Sequence, residues 1–183
     1  MNTLYETDRL YLQVLAPTEQ NAKKVLHLYD NNRSLFEPFE LDRQKNFYSI
    51  GYQLALLQTE YNMFINHDIV RFYLFKKDAP DNIIGTVAFH EIKRSFFHSC
   101  DIGYKLDGAH QHMGYATEAI MGAMGIMHDE YSMHRINAYV IPSNEKSLKL
   151  LSRIGYVDEG LQKDYIFMHG NWQDHRHLAF IFN

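Results

Sequence analysis

The residues with the clearest chemical potential lie between Gln111 and Ile120. Gln111-His112-Met113-Gly114-Tyr115-Ala116 runs directly into Thr117-Glu118-Ala119-Ile120, which reads as the start of a helix. Before it, Asp101 to Leu106 roughly alternates polar and apolar residues, as a short strand does, and Asp107-Gly108 supplies a turn. A strand, a loop of small residues and a helix together suit an anion. The first backbone N–H groups of a helix lack intrahelical acceptors, and the macrodipole places partial positive charge there. A pyrophosphate is the usual occupant. Gly114 and Ala116 are spaced so that bulky side chains do not keep phosphate oxygens from the backbone. Many plain strand–helix connections also carry a glycine turn, so this pattern alone leaves both readings open.

Ser147 is the next candidate. Asn144, three residues earlier, is a natural helix cap, which places Ser147 near a helix N-terminus. There the dipole favours a developing anion, and the hydroxyl can donate a hydrogen bond. A solvated serine in a capped helix is the alternative that the residues by themselves allow. Cys100 is the single cysteine; it excludes an internal disulfide and, with no activating neighbours, reads as an idle or buried thiol. Among eleven histidines, His175 and His177 alternate so as to face one way, like two zinc ligands. No third ligand with supporting spacing accompanies them, so no metal is expected.

The elements that must position these residues fit one domain, since 183 residues suit a single core and no linker, repeat or low-complexity stretch interrupts them. Leu10, Leu12 and Val14 share one face of a first strand over 9–14, and Thr18-Glu19-Gln20-Asn21 starts a helix to Tyr29. The spacing of Phe47, Ile50, Leu54, Leu57 and Tyr61 predicts a helix over 46–63. Strands follow over 69–75 and 83–91, joined at the turn cluster 77–82. The helix begun at Thr117 continues to Tyr131, with Met124 and Met127 in the core. A strand over 135–140, a helix over 144–154 closed by Gly155, and strands at 156–157, 165–169 and 177–182 complete an α/β (α+β) domain. The net charge of −4 without long runs of one sign gives no nucleic-acid or anionic-membrane surface. No apolar run approaches a membrane span and no signal pattern opens the chain; with one cysteine this points to a reducing cytoplasm.

The stretch Gln111 to Ala116 resembles the acetyl-coenzyme A loop of the GNAT acetyltransferase superfamily. Asn144-Glu145-Lys146-Ser147, Leu150-Leu151, Arg153-Ile154-Gly155-Tyr156 and Glu159-Gly160 resemble the signature of the branch that acetylates ribosomal-protein N-termini. Ile102-Gly103-Tyr104, His134-Arg135-Ile136, Lys163-Asp164-Tyr165 and Gly170-Asn171-Trp172-Gln173-Asp174-His175 are similar to its RimJ type, and Thr7-Asp8-Arg9-Leu10 extends the likeness to nearly the whole chain. His112 and Met113 depart from the family's usual glycine and basic residue, which removes a charge from the loop. His110 and His112 restore one when protonated.

The resemblance implies a mixed, mostly antiparallel central sheet flanked by helices and an N-acetyltransferase with acetyl-coenzyme A as co-substrate. Ile102, Tyr104, Lys105 and Leu106 would lie along the pantetheine. Gln111, His112, Met113, Gly114, Tyr115, Ala116 and Thr117 would hold the pyrophosphate, and Asn144 would contact the pantetheine arm. Ser147 would serve the leaving sulfur. Asp101 is the implied base, working through water, with Glu91, Glu40 and Asp164 as rivals. Some relatives carry an acid where this chain has Ile166, so that base does not transfer. The implied acceptor is the amino group of a protein N-terminus, with a ribosomal alanine or serine foremost. A small amine, polyamine or antibiotic is the alternative acceptor, and a non-catalytic acyl-coenzyme A sensor the alternative role. Exposed aromatics near the C-terminus suit a homodimer.

Overall fold

Strand β3 (Val70–Lys76) shows how the fold is built. Its side chains alternate between two cores, as the period of a strand requires. Phe72 and Leu74 enter one core, while Tyr73 and Phe75 enter the other. The computed structural model describes residues 2–183, and in it eight strands form one sheet in the order β1-β2-β3-β4-β5-β6-β8-β7. The other strands are β1 (Leu4–Glu6), β2 (Leu10–Gln13), β4 (Ala79–Lys93), β5 (Ser99–Leu106), β6 (Arg135–Val140), β7 (Val157–Met168) and β8 (Asn171–Ile181). All neighbours are antiparallel except β5 and β6, which the helix α4 (Tyr115–Tyr131) connects.

Helix α4 lays Ala119, Ile120, Ala123, Met124 and Met127 on one face of the sheet. This spacing of three and four makes a continuous apolar stripe, and its alanines bring the helix close to the strands. Helices α1 (Glu19–Asn31) and α3 (Ile50–Ile65) cover the other face through Val25, Leu28, Tyr29, Leu57 and their neighbours. A short helix α2 (Arg33–Phe36) and a 3₁₀ turn at Glu37–Phe39 fold the aromatic segment around Pro38 over the sheet's middle. Helix α5 (Glu145–Arg153) follows β6.

The decisive feature lies between β5 and β6. They pair only at Ser99↔Arg135, Cys100↔Ile136 and Asp101↔Asn137. Beyond these residues the strands part, while β5 keeps its pairing with β4 to Leu106 and β6 its pairing with β8 to Val140. The remaining backbone groups of β5 on that side therefore face a cleft and need partners from water or a ligand.

Several boundaries differ from the sequence reading. The helix expected from residue 46 starts at Ile50, because the Ser49 hydroxyl caps it by accepting from Tyr52 N at 3.2 Å. The turn expected over 77–82 is confined to Lys77 and Asp78, and Ala79 already pairs with Lys76. Strand β1 was not anticipated. The short strands expected after Tyr156 are one long β7–β8 hairpin with register shifts at Asp158/Gly160 and Gln162/Ile166. Gly160 (φ 128°) and Asp164 (φ 48°) occupy these irregular stretches. A bulge inserts an unpaired residue and breaks the alternation by which a strand is recognised.

Candidate active site

The parted strands open into a cavity of about 690 Å³. Strand β5 lines it with Ile102, Tyr104, Lys105 and Leu106; the loop adds Gln111, His112, Gly114, Ala116 and Thr117; α5 adds Asn144 and Ser147. The structure thus brings most of the anticipated residues into one place. Asp101, Met113 and Tyr115 do not line it.

At the loop, Gly114 takes φ 81°, a left-handed conformation that L side chains rarely adopt, and directly precedes α4. The Met113 side chain points into solvent, but its carbonyl accepts from Arg9 Nη1 at 2.9 Å. The same guanidinium lies 4.5 Å from the Tyr115 ring and pairs with Glu118 at 2.6 Å. Glu118 also accepts from Thr7 Oγ1 (2.6 Å) and Arg9 N (2.7 Å). Burial pushes its carboxyl up, but these donors hold it below the usual carboxylate range. Arg9 is thus spoken for by Glu118, and other cations stand near the loop whose positions 112 and 113 lack one. Arg9 stands beside Gly114, and Lys146, Lys149 and Arg153 of α5 line the cleft, with Lys146 Nζ 3.3 Å from Gln111 Oε1. Free first-turn N–H groups with cations around them can hold a pyrophosphate.

In the cleft wall, Asn144 Oδ1 accepts from Ser147 N at 3.2 Å, which fixes the first turn of α5. Ser147 Oγ lies 2.7 Å from the Tyr104 hydroxyl. Burial pushes the Tyr104 phenol up to about 12, against a smaller opposite effect of its hydrogen bond to Ser147. The phenol therefore keeps its proton through the physiological range and can donate to Ser147, leaving the Ser147 proton free for an anion. Tyr104 was expected here for its backbone; the sequence carried no sign that its side chain reaches Ser147.

Asp101 sits where β5 and β6 are still paired, and Asn137 Nδ2 donates to its Oδ1 at 3.0 Å. Glu91 (φ 50°) and Asp164 lie exposed on irregular stretches of strand, away from the cleft. Glu40 does reach the cavity, but Lys105 and Arg43 engage its two oxygens. Cys100 is fully buried, and burial, with Asp101 beside it, raises its thiol to about 12, which makes it inert.

The two histidines share one face as expected, but in an aromatic ladder. His177 stacks on Tyr139 (4.8 Å), Tyr139 on Tyr165 (4.9 Å), and Tyr165 meets His175 edge-on (6.0 Å). Among the described residues no group of three or more His, Cys, Asp or Glu side chains gathers as metal ligands. His175 is buried, lines the cleft, and its Nδ1 lies 3.1 Å from the Gln173 carbonyl. With Nδ1–H donating there, Nε2 is the basic nitrogen. Among the described residues no helix is long and apolar enough to cross a membrane.

Comparison with known proteins places the whole chain in a family. A sequence model of the acetyltransferase (GNAT) domain matches residues 9–157. The chain belongs to the GNAT acetyltransferase family. It is 33% identical over 171 residues to the ribosomal protein uS5-alanine N-acetyltransferase of Escherichia coli (strain K12), covering 92% of this chain and 86% of that one. The crystal structure of ribosomal-protein-S5-alanine acetyltransferase from Vibrio fischeri superposes with a TM-score of 0.89 at 28% identity, covering 98% and 97% of the two chains. Mycobacterium smegmatis RimJ in complex with CoA-disulfide shares the fold, with a TM-score of 0.89 at 20% identity over 98% of this chain and 87% of that one. The GNAT chain described here is an N-acetyltransferase, related to enzymes that acetylate ribosomal proteins. GNAT structures bind coenzyme A or acetyl-coenzyme A.

Proposed function

We propose that this GNAT enzyme moves the acetyl group of acetyl-coenzyme A to the α-amino group of a protein N-terminus, with a ribosomal alanine or serine as the first acceptor to test. The observation that carries this reading is the cleft itself. Its wall has a hydroxyl pair for the leaving group, its loop has cations and free N–H groups for a pyrophosphate, and it shares lining residues with a second cavity.

The residues would divide the work as follows. The free edge of β5 pairs with the amides of the pantetheine as a strand would. The first turn of α4, with Arg9, Lys146 and Lys149, holds the pyrophosphate. A neutral amine attacks the thioester carbon; its N–C bond forms as the C–S bond breaks. Ser147 gives a proton to the departing sulfur and is resupplied by Tyr104. The proton lost by the amine goes to Asp101 through water, or to Nε2 of His175, which lines both cavities. No covalent enzyme intermediate is needed.

The reaction needs no contact with RNA and suits the cytoplasm. Phe167 and Trp172 pack edge to face at 5.5 Å on the outer hairpin and remain largely exposed, which supports a homodimer through that edge; sedimentation showing only monomer would remove it.

The test is product analysis. Peptides bearing ribosomal-protein N-termini, incubated with acetyl-coenzyme A and the enzyme, should carry acetyl on the α-amine and not on lysine. Acetyl found only on small amines or polyamines would replace the acceptor class.

A further inference from the structure

Behind the coenzyme cleft lies a second cavity of about 530 Å³, more than a free amino acid needs. Phe39, Glu40, Arg71, Lys105, Tyr139 and His175 line both, so the two spaces share a neck. The walls of this chamber carry Arg43, Arg71 and Lys105 against Glu40 and Glu60, all of them largely buried. Glu40 is shared by Lys105 and Arg43, and Glu60 by Arg71 Nε (2.8 Å) and the Tyr73 hydroxyl (2.8 Å). Asp42, also on the wall, is mostly exposed and turned outward, with both oxygens on His169. One positive charge is left over inside.

The excess cation belongs to the Lys105–Arg43 pair on Glu40, but the guanidinium with room for a ligand is that of Arg71. Among the described residues no hydrogen bond satisfies its guanidinium: Nε is buried beside Glu60 without one, the terminal nitrogens are left open, and the side chain reaches both cavities. Arg43 is instead wedged against Phe47 (3.8 Å) and Tyr29 (4.8 Å), and Lys105 is held by Glu40 and Tyr29. The neighbouring groups respond to the same excess. Burial lowers the Lys105 ammonium; Tyr29 opposes this, and the positive charges of Arg71 and Arg43 add to it. Burial would raise the Tyr29 phenol, yet Lys105, Arg71 and Arg43 together bring it below its ordinary value. A partly buried guanidinium with open terminal nitrogens is suited to a carboxylate, which it can grip with two parallel hydrogen bonds.

We propose that Arg71 binds a carboxylate of the acceptor, so that the enzyme selects N-termini with an acidic side chain at the second or third residue. This rests on the reading above that the acceptor is a protein N-terminus. The same surplus positive charge disfavours polyamines in this chamber.

The test uses alanine-starting peptides that differ only in glutamate, glutamine or lysine at the second or third position. Binding to the coenzyme A-loaded enzyme is measured by calorimetry, and acetyl transfer by thiol release. The glutamate peptide should bind and react about tenfold better than its glutamine isostere, and the lysine peptide worst. Arg71→Gln should bring the glutamate-to-glutamine ratio near one. Because that change leaves Glu60 unpaired, Glu60→Gln/Arg71→Gln, which removes both charges, is measured beside it, with coenzyme A affinity as the check of folding. Equal binding of the three peptides by the wild type, a preference for lysine, no binding of the acidic peptide, or a glutamate preference that survives in the double variant would each overturn the proposal. Arg71-dependent binding of the acidic peptide without acetyl transfer would uphold the site and overturn the proposed reaction.

Discussion

The Tyr104 hydroxyl lies 2.7 Å from Ser147 Oγ and so joins β5 to the helix that follows β6, beside the cleft where those two strands part. In the proposed reaction Ser147 is the donor to the departing thiolate. Tyr104 holds its reserve proton, on a phenol raised to about 12. Ser147→Ala should therefore lower kcat about 10²-fold while leaving coenzyme affinity within a few-fold. Tyr104→Phe should lower kcat about tenfold, since water can partly replace the reserve proton. Steady-state kinetics with direct coenzyme binding checks both; equal losses of kcat and affinity would reduce Ser147 to a binding residue.

The relay also predicts the alkaline limb of the rate profile. Because burial raises the Tyr104 phenol, its proton is kept as pH rises past the ordinary tyrosine value and is lost only near 12. No loss of kcat attributable to Tyr104 should appear below about pH 11. An inflection near pH 10 that vanishes in Tyr104→Phe would contradict this assignment.

Gly114 couples the loop to Arg9. Its φ of 81° disfavours any β-branched residue, and a Cβ there would stand 3.2 Å from Arg9 Nη2. Gly114→Val should cost about 1–3 kcal/mol in backbone strain and displace the guanidinium, weakening coenzyme binding roughly tenfold to a hundredfold. Calorimetry with coenzyme A reads this directly, and unchanged affinity would move the phosphate site elsewhere.

Glu118 ties the start of β2 to the start of α4 by accepting from Thr7 and twice from Arg9. Its carboxyl is held below the ordinary range in the folded protein, so its contribution to stability is complete above the ordinary value. That contribution falls away as pH drops through the folded value. Glu118→Gln should cost about 1–2 kcal/mol at neutral pH and remove part of the acid sensitivity. Denaturant melts at neutral and acidic pH would show it; an identical loss at both would mean that the charge is irrelevant.

The base assignment separates with two variants. If Asp101 receives the amine's proton through water, Asp101→Asn should lower kcat/KM about 10²-fold, whereas His175→Gln should leave it within a few-fold. If His175 does, the two outcomes exchange. Steady-state kinetics of both variants, with coenzyme A affinity as the check of folding, decides.

Much of this architecture was legible because it rests on local signals. The periodicity of α4, the Asn144 cap and the glycine at 114 are each written within a few residues. The long β7–β8 hairpin was fragmented in the reading because bulges near Gly160 and Asp164 break its alternation. The site was legible in its backbone parts and hidden in its long-range ones. Nothing within the chain's local pattern announces that Arg9 reaches the Met113 carbonyl, over a hundred residues away, or that Tyr104 reaches Ser147. The basic residue missing at positions 112 and 113 was likewise visible as an absence, whereas the nearness of the α5 cations to the loop appears only once the chain is folded.

The central claim is acetyl transfer to a protein N-terminus, and thiol release from acetyl-coenzyme A by the purified protein tests it most directly. Peptides bearing ribosomal-protein N-termini should be turned over, and a panel of small amines and polyamines should be left nearly untouched. Turnover on the amines with none on the peptides would contradict the account.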